Sequence, residues 1–160
     1  MNRAFPFQKP VLRSALLWLV VFSIHARAIA QPVIRHDARH SLHRTALILL
    51  EAQQVVKAGK IYTGNFSRAV AHQRFARKLF IDGKWLRSIH QSLRARRLAF
   101  LAIEANKGVV QAAWRADAIE KKYEQSIPAD EELDKETPNL NDQQDEDLLN
   151  IQITDIDLGD

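Results

Sequence analysis

No proline interrupts the chain between Pro32 and Pro128, and apolar residues recur there at helical spacing from about 36 to 123. Proline removes a backbone donor and clashes with the preceding turn, so a stretch free of it is open to long helices. Glycine supplies the punctuation, at Ala58-Gly59, Gly64-Asn65 and Asp82-Gly83. A glycine past the last helical turn accepts the left-handed conformation that stops a helix. This pattern predicts three helices, at about 36–58, 66–81 and 84–123. Short connections make consecutive helices antiparallel neighbours. The expected fold class is therefore all-α, a small antiparallel three-helix bundle. Trp85, Ile89, Leu93, Phe100 and Ile103 supply the core side of the third helix, each worth about 1.5–3 kcal/mol of burial before entropy. Gly108 bends or divides that helix, and Trp114 joins the core if the chain is not diverted there. Glycine costs about 1 kcal/mol relative to alanine in mid-helix.

Upstream of this body, residues 1–30 read as a cleavable export signal. Arg3, Lys9 and Arg13 make a positive start, Ser14 to Ile24 an apolar run, and Ala28-Ile29-Ala30 a small-x-small end before Gln31. The run is shorter than the roughly 20 residues that cross a bilayer as a helix. Processing would leave a chain with no transmembrane segment, long enough for one modest domain. There is no cysteine, which excludes disulfides, thiolate metal ligands, a cysteine nucleophile and a lipoprotein-type anchor. The expected location is periplasmic or extracellular, in a bacterium.

Charge is segregated along the chain. Residues 31–123 carry 18 Lys and Arg against six acids, a balance of +12; residues 124–160 carry 13 acids against Lys135, a balance of −12. The domain reading is thus a leader (1–30), a basic helical body (31–123) and an acidic tail (124–160). The tail holds Pro128, Pro138, the run Asp130-Glu131-Glu132 and few apolar residues before Leu148. Such composition predicts disorder. From Leu148 to Leu158 hydrophobes mix with acids, and Ile151 and Ile153 alternate as in a strand, which marks a docking motif as the alternative to a frayed end.

The body also contains an internal repeat. Residues 64–79 align without gaps on residues 83–98, sharing Gly64/Gly83, Phe66/Trp85, Arg68/Arg87, Ala69/Ser88, Val70/Ile89, Ala76/Ala95 and Leu79/Leu98. Glycine ends one helix, the aromatic residue plugs the corner, and the alanine admits a close neighbour. With Ala76, Leu79, Gly83-Lys84-Trp85, Ile89 and Ala95 at these intervals, residues 64–98 resemble a tetratricopeptide-repeat helical hairpin. The match departs at His72, Ser88 and Phe100. A solenoid needs about three repeats, so the resemblance implies one repeat-like hairpin within a bundle. The whole also resembles uncharacterised exported bacterial proteins.

Two groups of side chains are candidates for binding. Arg87, His90, Arg94 and Arg97 form a basic stripe on the third helix, and Arg74, Arg77 and Lys78 a second cluster on the helix before it. Such a surface suits an acidic protein or an anionic envelope component, or the chain's own acidic tail. Nucleic acid is not expected, because export removes it from most partners of that kind and aromatic interleaving is absent. His36, His40 and His43 share one helical face, and His40 with either His36 or His43, plus a third ligand from elsewhere, could hold zinc or copper. His72 is expected in the core and His90 in water. There is no Gly-x-Ser-x-Gly, Gly-rich phosphate loop or His-Glu-x-x-His, and the body's acids read as helix-surface or helix-end residues. The functional expectation is a non-catalytic interaction module with a basic face shielded by its own tail. The alternatives are a histidine-based metal-binding protein and a chaperone-like hairpin.

Overall fold

A computed structural model describes the backbone of residues 12–158 and the side chains of residues 33–158. The chain divides into two compact units between Val33 and Ile34. The leader assigned to residues 1–30 rests on side chains outside the described residues. All the packing described below lies in the second unit.

Among the described residues six α-helices occur in chain order: α1 (Leu12–Gly59), α2 (Asn65–Ile81), α3 (Trp85–Ala105), α4 (Ala118–Lys121), α5 (Asp130–Glu136) and α6 (Asp145–Leu148). The described residues contain no strand, and the all-α class is as expected. No helix among them is long and apolar enough to cross a membrane.

Hydrogen bonds fix how the long helices run. Gln73 of α2 donates to the Leu42 carbonyl of α1 at 2.9 Å. Ser92 of α3 donates to the Ser41 carbonyl of α1 at 3.2 Å. Near the other end of α1, Asn106 just after α3 clasps Ile61, accepting from its N–H and donating to its carbonyl, both at 2.9 Å. So α3 runs alongside α1 in the same direction. Gly59 permits the clasp, because a Cβ there would sit 2.2 Å from Asn106 Oδ1.

The α2–α3 corner works through its small residues. Gly83 holds φ +75°, a left-handed conformation that glycine adopts without a Cβ penalty. The Lys84 N–H reaches the Leu79 carbonyl at 2.8 Å, closing the helix end. Ser88 then donates to the Ala76 carbonyl at 2.8 Å, so a serine and an alanine mark where the two backbones come closest. One buried cluster gathers Leu49, Ala52, Val56, Phe66, Val70, Leu98 and Ile103. A second gathers Ala38, Leu42, Ala76, Phe80, Ile89 and Leu93. Trp85 and Phe100, expected in the core, are only half-buried at its edges, as is Trp114.

Two expectations about boundaries are corrected. The first helix begins well before His36, since the apolar run upstream is as compatible with helix as the body is. The third ends at Ala105 instead of continuing to 123. Lys107 turns left-handed at φ +59°, and Gly108 donates to the Ile103 carbonyl at 2.9 Å. A Cβ on Gly108 would meet Ile103 Cγ2 at 2.6 Å and Val55 Cγ1 at 2.8 Å. Gly108 divides the helix because the departing chain passes that closely over the core.

The acidic tail is the larger correction. In place of disorder it forms α5 and α6 and a bent stretch after them. Leu133, Leu148, Leu149, Ile153 and Ile156 are all buried. The tail's apolar residues are few, but these five reach the core, and the carboxylates between them meet arginines. Together these offset the ordering entropy of about 1–2 kcal/mol per residue that composition alone could not. A strand would place Ile151 and Ile153 on one face, yet Ile151 is 45% exposed and Ile153 5%, and no strand forms among the described residues.

One tail residue completes a helix far from it in sequence. Gly64, at φ +74°, offers α2 no capping side chain. Asp145 fills that place, its two oxygens accepting from the N–H groups of Gly64 and Ser67 at 2.8 Å each. Replacing Asp145 with Ala strands both donors beside a buried site, and the expected loss is about 1–3 kcal/mol. Urea unfolding measures it, and Asp145→Asn should recover part because it keeps an acceptor.

Candidate functional site

The strongest concentration of polar chemistry lies where the tail crosses α2 and α3. Helix α5 presents acids at alternate positions around the buried Leu133, and arginines bridge them one helical turn apart. Arg94 donates through Nη1 to Asp130 at 2.7 Å and through Nε and Nη2 to the two oxygens of Asp134 at 2.9 and 3.0 Å. Arg87 spans Glu132, at 2.7 Å, and Glu136. Arg68 adds a bond to Asp134 at 2.6 Å, and Arg97 pairs with Asp130. Residues four apart on a helix lie on one face, so the forked guanidiniums of Arg87 and Arg94 each match two carboxylates of one helix.

The electrostatics follow from this geometry. Burial alone would raise the Asp134 carboxyl, but the Arg94 hydrogen bonds and the charges of Arg94, His72 and Arg68 hold it below the usual range. The Arg87 hydrogen bond does the same for Glu136 against a smaller burial effect.

Beneath α5, His72 is fully buried, as expected. Its Nε2 lies 3.0 Å from Asp134 Oδ1, and its Nδ1 lies 2.7 Å from Gln91 Oε1 and 2.9 Å from the Thr137 hydroxyl. Burial lowers its pKa, with Gln91 and Asp134 opposing. His90, expected in water, is 4% exposed. Its Nε2 donates to Ser126, whose own hydroxyl donates to the Tyr123 carbonyl. Its Nδ1 is buried with no partner. Protonation would leave an unanswered N–H beside Arg87, and burial with that charge pushes the imidazole down to about 4.

The second basic cluster is placed differently. Arg74 Nε lies 2.8 Å from Asp155, and its Nη1 donates to Gln143 at 2.7 Å. Arg77 donates to the Asp157 backbone carbonyl at 2.8 Å. Lys78 is exposed and makes no ion pair among the described residues. The cluster therefore faces the segment after α6, apart from the stripe of Arg87, Arg94 and Arg97 beneath α5.

The three N-terminal histidines are not brought together. His40 Nε2 meets Asp117 at 2.6 Å, His43 Nδ1 meets Asp157 at 2.7 Å, and His36 lies 3.4 Å from Asp37. Among the described residues no three histidine or carboxylate side chains converge in an arrangement that could hold zinc or copper. Asp117 also caps α4, accepting from the N–H groups of Ile119 and Glu120. Burial pushes it up, yet the His40 and backbone hydrogen bonds and the Arg44 charge bring it to about 2.

Sequence reasoning missed a buried ion pair outright. Glu120 is 1% exposed, and Arg96 reaches both its oxygens while also donating to Thr45 and the Ser41 carbonyl. Arg44 joins from α1, bonding Glu120 and the carbonyls of Ala113 and Arg115. Asp37 is buried too, accepting from the Tyr123 hydroxyl at 2.7 Å. The signal was present at Arg96, which falls seven residues after Ile89 and three after Leu93, on the apolar stripe of α3. A charge there needs a buried partner.

Two outcomes are expected. Arg96→Met leaves Glu120 buried beside Arg44 alone and should cost about 3–5 kcal/mol, whereas Arg96→Met with Glu120→Leu should lose much less; denaturant midpoints decide. Stability should also fall with acid in two stages. His72 and His90 have lowered folded pKa values, so their contribution is complete above about 6.5 and drains as pH falls below it. Asp117, Asp134 and Glu136 contribute above about 4 and lose that contribution as pH drops through their depressed values. Urea midpoints between pH 7.5 and 2.5 read both stages, and His90→Gln should shrink the first.

No protein-family model, curated protein or solved structure matches the chain.

Proposed function

We propose that this chain is a non-catalytic interaction module, working outside the cytoplasm, whose arginine face takes up an acidic helix of a partner protein. The observation that carries the reading is the spacing of Arg68, Arg87, Arg94 and Arg97 against acids two and four residues apart on α5. A point charge would serve any polyanion. The guanidinium forks of Arg87 and Arg94, each spanning two carboxylates one turn apart, favour a rigid helical display. Helix α5 fills that face in cis and so competes with the partner. The export leader supports the location, and the repeat-like α2–α3 corner supports a scaffold role for the hairpin.

Neutralising the cis competitor tests this. The full chain carrying Asp130→Asn, Glu132→Gln, Asp134→Asn and Glu136→Gln should bind a labelled helical peptide of sequence 129–138 about tenfold more tightly than the unaltered chain. Raising salt from about 50 to 500 mM should erase that binding. Retained helical circular dichroism without any gain in affinity would refute the reading.

A further inference from the structure

Between α3 and the chain that returns after it, the fold holds a cavity of about 780 Å³. Pockets of about 300–1,000 Å³ with a mostly apolar lining and a few placed charges suit small molecules. Two sets of bonds fix its walls. At one end Arg44 donates to the carbonyls of Ala113 and Arg115 at 2.7 and 3.0 Å, and Arg96 grips Glu120. At the other, His90 bonds Ser126 at 3.0 Å, and Asp130 accepts from Arg94 at 2.7 Å. The chain between these ties arches over Leu93, Arg97 and Phe100, which share one face of α3. Leu93 belongs to one buried cluster and Phe100 packs against the other, so the cavity opens at the seam of the core.

The lining divides into a floor and a rim. Leu93, Phe100, Ile127 and Pro128 supply apolar surface, on which water finds few hydrogen bonds. The charges around it are unequal. Arg96 is answered by Glu120, and Asp130 by Arg94 and Arg97. That leaves Arg115 and Lys121 against Glu124, all three exposed and without an ion pair among the described residues. The surplus is one positive charge. Arg115 and Lys121 both come from the returning chain, and a guanidinium and an ammonium on one wall can share a carboxylate.

We propose that this cavity binds a small amphipathic acid, its apolar body against Leu93, Phe100 and Ile127 and its single carboxylate at Arg115 and Lys121. A nucleotide or a sugar phosphate would bring more negative charge than the one cation in surplus answers, and no apolar body for the floor. The site borders the arginine face at Arg97 and Asp130. It goes beyond the function proposed for that face, since its ligand is a small molecule and not a helix.

The test uses the full chain, with 1-anilinonaphthalene-8-sulfonate as fluorescent reporter and decanoate and decanol as competitors. The dye should bind saturably, one per chain, and raise the urea midpoint, because a ligand of the folded state stabilises it. Decanoate should displace it at about tenfold lower concentration than decanol does. Arg115→Gln with Lys121→Gln should erase that advantage and leave decanol unchanged. Ala116→Phe, which fills the cavity, should weaken every ligand by about tenfold or more. Ala129→Phe fills it from the opposite end, and serves if the first variant loses its helical circular dichroism. Equal displacement by acid and alcohol, or an advantage that survives the glutamine substitutions, would overturn the proposal. So would the absence of saturable binding, or binding untouched by the phenylalanine. A urea midpoint lowered by the dye would assign the fluorescence to loosened forms of the chain and end the proposal as well.

Discussion

A single buried carboxylate, Glu120, decides where the chain goes after α3. Its two oxygens are taken by Arg96 from α3 and Arg44 from α1, in a place closed to water. Burying two charges costs several kcal/mol per ion, and their attraction repays it only with good geometry and further hydrogen bonds. Here the extra bonds come from Thr45 and the Ser41 carbonyl. The pair joins two parallel helices and returns the irregular chain after Gly108 to their side. From there it is led past Tyr123 and Ser126 to the start of α5, which meets its arginines in register.

The body of the protein is a helical frame with far more cations than anions, and the tail supplies most of the missing counter-charge in order. Asp130 and Asp134 meet Arg94, Glu132 and Glu136 meet Arg87, and Asp155 meets Arg74, while the body's own Asp117 meets His40 and Arg44. Exposed pairs of this kind are each worth little, about 0–1 kcal/mol. Their value is positional, because wrong registers would set like charges together or leave arginines unpaired. The apolar residues threaded between the acids contribute most of the free energy, while the charges choose the alignment.

Much of this organisation was legible in residues alone. Glycines at 59, 64 and 83 marked the breaks, helical spacing marked Ile89, Leu93 and Ile103 as core, and segregated charge pointed at the tail as a candidate occupant of the basic face. The misses have a common cause. Composition rules average over a window, so five well-placed apolar residues within an acidic run were diluted, and disorder was predicted where α5 and α6 form. His90 was placed in water because its neighbours in sequence are arginines, yet the chain returning at Ser126 covers it. Asp145 as the cap of α2 could not be read locally, since cap and helix lie some eighty residues apart. The metal expectation for His36, His40 and His43 rested on helix spacing, which says nothing of which carboxylate reaches each ring first.

The segregation of charge also sets a sequence of events during synthesis. A ribosome delivers α2 and α3, with every arginine that α5 covers, before any residue of α5 has been made. Until α5 follows, Arg68, Arg87, Arg94 and Arg97 are without the carboxylates they meet in the finished fold. The order of charges along the chain thus makes α1 to α3 the frame and α5 the piece laid onto it, with Leu133 as its buried anchor.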